Sequence, residues 1–190
     1  MNEIREKVSE VIVEVVGELD KKQQVAVKKL QKLSFSDVDN EEAEKDFYHP
    51  ESAQVLAYIG TELVGWAGIH ETEQNFEGKK IKLGGYGICT HPKWQRRGIA
   101  GKVSHQVAMD FLRNKGCEVA FLSVNPLNIA SIKLHQKNGF VMLRRNFSWT
   151  NSRGEIKQDG GGMIAPVNSQ ELFGHIMKGK GILYVENGYW

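Results

Sequence analysis

One segment constrains this chain more than any other: Ile88-Cys89-Thr90-His91-Pro92-Lys93-Trp94-Gln95-Arg96-Arg97-Gly98-Ile99-Ala100-Gly101-Lys102. Residues up to Thr90 read as a strand, Pro92 ends it, and helical spacing opens at Gly98. Ile99, Val103, Val107 and Phe111 recur every four residues, with Ala100, Ala108 and Leu112 beside them, which predicts a helix to about Lys115. The first turn of such a helix has unpaired N–H groups and the positive end of the dipole. That end takes phosphate readily. Gly98 removes a side chain where a ligand would approach the main chain, and Ala100 and Gly101 keep the approach open. Arg96, Arg97 and Lys102 add positive charge, so the segment reads as a pyrophosphate cradle. It has neither the glycine spacing of the dinucleotide fingerprint nor the Gly-Lys-Ser/Thr of a P-loop.

The remainder of the chain supplies a sheet and its cover. Val8 to Val16 is dense in β-branched residues and predicts a first strand. Asp20 caps a helix from Lys21 to about Leu33, with Val25, Ala26, Leu30 and Leu33 toward the core. The acidic stretch from Ser36 to Ser52 has room for a short helix around Glu41 to Phe47, stopped by Pro50. Gln54 to Ile59 and Leu63 to Ile69 form a hairpin around Gly60-Thr61. A polar segment, Glu71 to Lys80, leads into a strand from about Ile81 to Thr90. Gly116 closes the following helix, and Val119 to Val124 reads as a buried strand. Asn128 caps another helix, which ends at Gly139; Phe140 to Leu143 and Phe147 to Thr150 read as strands. The tail runs through Gly160 to Gly162, Met163 to Val167 and a helix from Gln170 to Met177. A hairpin followed by alternating strands and helices predicts an α/β (α+β) fold, a mixed sheet flanked by helices, in one domain over residues 1–190.

Composition removes several classes. Hydrophobic residues make up 41% and charged residues 25%, which excludes disordered, collagenous and fibrous chains. Lys and Arg number 25 against 23 Asp and Glu, too balanced for a nucleic-acid binder held by its overall field. No apolar run approaches the roughly 18 residues of a membrane span. The opening Met1-Asn2-Glu3-Ile4-Arg5-Glu6-Lys7 mixes acids with bases and has no apolar core close behind, so a cytoplasmic protein is expected. Cys89 and Cys117 make neither a disulfide framework nor a zinc spacing and are expected as free thiols, with no metal site.

Gln95-Arg96-Arg97-Gly98-Ile99-Ala100 resembles the Gln/Arg-x-x-Gly-x-Gly/Ala signature of the GNAT N-acetyltransferase superfamily, which follows its fourth strand. A second block, Asn128-Ile129-Ala130-Ser131-Ile132-Lys133-Leu134-His135-Gln136-Lys137-Asn138-Gly139-Phe140, resembles the superfamily's Asn-x-x-Ala-x-x-Leu-Tyr-x-x-x-Gly-Phe. Both blocks occur in the expected order, and Leu63-Val64-Gly65-Trp66-Ala67-Gly68 fits the preceding hairpin. The resemblance covers about Val8 to Thr150, with an extension over 151–190.

This resemblance implies a mixed sheet of six or seven strands that splays open between its fourth and fifth strands, with acetyl-CoA in the opening. The pantetheine would pair with the main chain of Ile88, Cys89 and Thr90, the pyrophosphate would sit on Gln95, Arg96, Arg97, Gly98, Ile99, Ala100 and Gly101, and Asn128 would touch the pantetheine. An amine would attack the thioester directly. Two positions depart from the pattern. His135 stands where the superfamily's general-acid Tyr would be, and the fourth strand has Tyr86 where many relatives place a Glu base. Both are candidate catalytic residues. A neutral His still donates an N–H to sulfur, whereas a Tyr with a pKa near about 10 suits hydrogen bonding better than proton abstraction.

Gly85-Tyr86, Trp94, Asp159-Gly160-Gly161 and the terminal Trp190 further resemble bacterial aminoglycoside N-acetyltransferases, which implies that Trp190, Tyr189 and Glu186 line an amine pocket. Acids after the first helix, Asp39, Glu41 and Glu42, would border the acceptor site. The expected activity is acetyl-CoA-dependent acetylation of a small, cationic amine. The alternatives are a non-catalytic acyl-CoA-binding module and a peptide or protein N-acetyltransferase. Neither nucleic acid nor membrane is an expected partner; a homodimer is compatible with the resemblance.

Overall fold

The computed structural model describes residues 11–34, 52–101, 106–150 and 154–186. Strand β1 (Ile12–Val16) precedes helix α1 (Lys21–Ser34). Asp20 caps α1 as predicted: its Oδ1 accepts from the N–H groups of Lys22 and Gln23 at 2.7 and 2.8 Å. Gln23 Oε1 accepts from the Asp20 N–H at 3.0 Å and completes a capping box. The buried edge of α1 is Val27 and Leu30, whereas Val25 and Leu33 are exposed. The helix seats one narrow stripe on the sheet, and Val25 lies about 140° around the helix from Leu30.

Strands β2 (Ala53–Ile59) and β3 (Glu62–Phe76) form the predicted hairpin. β3 then continues through the polar stretch, turns at Glu77-Gly78 and returns as β4 (Lys79–Thr90). Both turn residues have positive φ, 50° and 81°, the backbone twist that a two-residue hairpin turn requires. Glu71 to Lys80 is thus mainly strand and turn rather than a polar connection. Side chains such as Glu73 and Lys80 stand in solvent there, so the apolar alternation that marks a strand is absent.

A single 3₁₀ turn (Pro92–Trp94) leads to α2 (Ile99–Gly101). Residues 106–108 wind more widely and run directly into α3 (Met109–Asn114), and the helix predicted from Gly98 is described on either side of residues 102–105, which lie outside the described residues. Next come β5 (Val119–Ser123), α4 (Ile129–Lys137), β6 (Val141–Met142) and β7 (Phe147–Thr150). β8 (Ile156–Asp159), β9 (Gly162–Pro166), α5 (Gln170–Lys178) and β10 (Leu183–Tyr184) follow within the described residues. The helix expected around Glu41 to Phe47 lies outside the described residues, as does Val103.

The main sheet has seven strands in the order β1-β2-β3-β4-β5-β9-β6, and β10-β7-β8 form a second sheet. Among the described residues of the main sheet, the β4–β5 pair is parallel and the other pairs are antiparallel. One face buries Val55, Ile69, Tyr86 and Met163 with Ile99, Met109 and Leu112 from the helices. The other face buries Leu56, Trp66 and Cys89 with Val27 and Leu30 of α1. Further along that face, Ile81, Leu83, Phe121 and Ile164 meet Phe147 and Leu183 of the second sheet and Ile176 of α5. Each fully buried Leu or Phe contributes about 1.5–3 kcal/mol, so two covered faces hold the β4 and β5 main chains firmly up to their point of separation. No helix among the described residues is long and apolar enough to cross a membrane.

Candidate active site

The β4–β5 ladder has two registered pairs, Leu83 with Val119 and Gly84 with Ala120. Beyond them β4 remains paired with β3 as far as Thr90, and β5 remains paired with β9 as far as Ser123. The two strands therefore part after Gly84, and the gap widens toward their C-terminal ends. Alternation along β4 identifies the main-chain groups that face it. The His91 N–H donates to Val64 O at 2.9 Å on the β3 side, while Lys82 O accepts from the Glu118 N–H at 2.8 Å on the β5 side. Even-numbered positions thus point toward β5, which places the main-chain groups of Ile88 and Thr90 at the gap and those of Cys89 against β3. The Cys89 side chain packs among Val27, Leu30 and Trp66, and burial pushes its thiol up to about 12.

The gap leads to the turn from Gln95 to Gly101. Gln95 Nε2 donates to Thr90 O at 3.4 Å and ties the turn to the end of β4. Arg96 and Gly98 both have positive φ, 61° and 81°. Gly98 adopts that conformation without cost, whereas Arg96 holds it with strain. A Cβ added at Gly98 or Gly101 would meet no atom of the described residues within 4 Å, which leaves room there for a phosphate. The Arg97 guanidinium lies 4.7 Å from the centre of the Trp94 ring. Thr90 Oγ1 is buried without a hydrogen-bond partner among the described residues, at the mouth of the gap. Residues 88–101 therefore combine strand main chain, open glycines and cationic charge, a set that fits an acyl-CoA. Lys102 lies outside the described residues.

Three rings meet near the vertex of the gap. His135 lies 5.9 Å from Tyr86 and 5.6 Å from Phe140, centre to centre, and Tyr86 lies 6.0 Å from Phe140. Tyr86 and His135 are both buried. Burial lowers the His135 pKa to about 4, and its Nδ1 has no partner among the described residues. At neutral pH this imidazole is uncharged and offers a hydrogen bond rather than a labile proton. Asn128 uses its Oδ1 to cap α4, accepting from the Ser131 N–H at 3.0 Å.

Of the residues expected to line an amine pocket, Glu186 is described and stands away from this gap. Tyr189 and Trp190 lie outside the described residues. The Glu186 N–H donates to Gln74 Oε1 at 2.9 Å, and Gln74 Nε2 donates to Tyr184 O at 3.2 Å. Gln74 registers with Ile81, seven residues along β4 from Ile88, about 23 Å at a strand's rise. Glu186 is thus anchored toward the far end of the β3–β4 hairpin. Sequence reasoning passed over Ser34, whose Oγ lies 3.4 Å from Thr90 O. Its signal was only its place at the end of a helix. Among the described residues no group of three His, Cys, Asp or Glu side chains could hold a metal ion.

Comparisons with known proteins agree with this architecture. The E. coli GNAT family N-acetyltransferase YhbS, solved in complex with CoA, superposes with a TM-score of 0.62 at 14% identity, over 93% of this chain and 88% of that one. The ribosomal-protein-S18-alanine N-acetyltransferase of E. coli gives 0.57 at 15% identity, over 82% and 94%. An aminoglycoside acetyltransferase from an uncultured soil metagenomic sample, in complex with trehalose, gives 0.51 at 20% identity, over 67% and 86%. At these identities the likeness is one of fold. No curated protein matches the chain in sequence. The model of the acetyltransferase (GNAT) family matches residues 25–140, more than half of the chain, which therefore belongs to that family and has acetyl-CoA as its acetyl donor.

Proposed function

We propose that this acetyltransferase acts on the amine of a small, cationic acceptor. The observation that carries the acceptor assignment is where residues 35–51 join the fold. They leave α1 at Ser34, beside Thr90 O. They re-enter at Ser52, whose N–H donates at 2.8 Å to Ile69 O, and Ile69 registers with Tyr86. The first anchor touches the end of β4 that borders the gap, and the second lies across β3 at the level of Tyr86. The segment between them carries seven acids against one lysine. A segment of that charge tethered between these two anchors would favour a cationic amine as acceptor.

Acetyl-CoA, when bound, would supply a thioester carbonyl: attack by the neutral amine forms the C–N bond as the C–S bond breaks, and CoA leaves as a thiolate that takes up a proton, without a covalent enzyme intermediate. The chain's own part is to bind and orient. Ile88 and Thr90 offer main-chain pairing, residues 95–101 receive the phosphates, and Arg96 and Arg97 supply charge. His135, neutral and buried, donates a hydrogen bond and keeps its proton, so the amine's proton leaves to water. A second reading, acetylation of a peptide N-terminus, draws support from the similarity to the S18-alanine enzyme.

The test is CoA release measured with a polyamine, an aminoglycoside and a peptide beginning with alanine. Turnover of either small amine, with the peptide inert, supports the proposal. Turnover of the peptide alone overturns it in favour of the second reading.

A further inference from the structure

The turn that precedes the cradle is braced from the opposite hairpin by one carboxylate. Glu62, the first residue of β3, has its Oε2 3.2 Å from Trp94 Nε1, which donates to it. Its Oε1 lies 4.0 Å from His91 Nε2. His91 Nδ1 accepts from the Lys93 N–H at 3.2 Å, which leaves the ring hydrogen of a neutral imidazole on Nε2, facing Glu62. A single carboxylate thus faces both ends of the Pro92–Trp94 turn. Glu62 meets the edge of the indole, while Arg97 lies over its face, 4.7 Å from the centre.

This arrangement has a consequence for charge and for order. An indole N–H that donates to a carboxylate becomes more electron-rich, and an electron-rich face attracts a cation more strongly. An exposed arginine rotates freely and loses that freedom on binding phosphate; one already stacked loses less. Resting on the acetyl-CoA reading above, we propose that Glu62 and Trp94 are positioning residues that hold the Arg97 guanidinium ready for the phosphates of acetyl-CoA.

The test is calorimetric titration of acetyl-CoA into the wild type, Trp94→Leu, Glu62→Ala and Arg97→Gln. Each of the first two substitutions is also combined with Arg97→Gln. Each single substitution should weaken binding about two- to fivefold. In the Arg97→Gln background neither Trp94→Leu nor Glu62→Ala should weaken it further, because the residue through which they act is gone. Losses that multiply in the double variants, or single variants of Trp94 and Glu62 that bind like the wild type, overturn the proposal. Trp94→Phe guards against a misfolded leucine variant. It keeps a ring for packing but gives Glu62 no donor, so it should still lose affinity, and wild-type affinity would count against the brace. Absence of binding by the folded wild type overturns the acetyl-CoA reading and this proposal together; normal binding with indifferent variants overturns this proposal alone.

Discussion

The imidazole of His135 lies 5.9 Å from the phenol ring of Tyr86, just past the point where β4 and β5 part. Burial holds that imidazole neutral by lowering its pKa from 6.5 to about 4. The unfolded chain takes up the proton first. His135 therefore stabilises the fold fully above about pH 6.5, and this contribution is lost as the pH falls toward 4. The loss is on the order of 3 kcal/mol. Urea midpoints at neutral and acidic pH should fall closer together in His135→Phe than in the wild type. An identical spread in both proteins would place the acid sensitivity elsewhere.

Gly161 closes the chain against the end of β5. A Cβ there would overlap the carbonyl oxygen of Val124, which is main chain and cannot rotate away. The Val124 N–H also donates to Gly161 O at 2.9 Å, so the two segments cannot separate without breaking that bond. Gly161→Ala should lower stability by about 1–3 kcal/mol, read as a shifted denaturation midpoint. A midpoint equal to the wild type would show that this contact yields easily.

Cys89 and Cys117 are both buried, and burial pushes their thiols up to about 12 and about 11. Thiolate is the reactive form, so neither should react with iodoacetamide in the folded protein at mildly alkaline pH. Both should react once denaturant is added. Rapid labelling of folded protein, read by mass, would contradict the packing assigned to Cys89 on the strand that borders the gap.

Much of the main sheet was legible because its elements carry local signals. Asp20 and Asn128 mark helix starts, Gly60-Thr61 marks a hairpin, and Gly98 marks the turn into a helix. What escaped the sequence depends on distant partners. The β3–β4 extension beyond Ile69 is polar, and Gln74 is buried because the tail main chain covers it and satisfies both ends of its amide. No local pattern around Gln74 announces the tail more than a hundred residues later. β8 and β10 are likewise read only from their pairing with β7. At the site, the glycines and arginines of the cradle were visible as a motif. The separation of β4 from β5 after Gly84 came from family resemblance, because strand divergence leaves no mark on residue spacing. The Glu62 brace could have been anticipated only by carrying the hairpin register past Gly65 and Thr90 to the turn beyond.

The central claim is that the gap between β4 and β5 and the open turn at Gly98 bind acetyl-CoA. Calorimetric titration of the wild type and of Gly98→Val with acetyl-CoA, alongside free CoA, tests it most directly. Valine at Gly98 would place a branched side chain in the open cradle and would also strain a backbone with φ of +81°. The account predicts about micromolar binding of both ligands by the wild type and at least about tenfold weaker binding by Gly98→Val. Folded wild-type protein that binds neither ligand, or Gly98→Val that binds as tightly as the wild type, would contradict it.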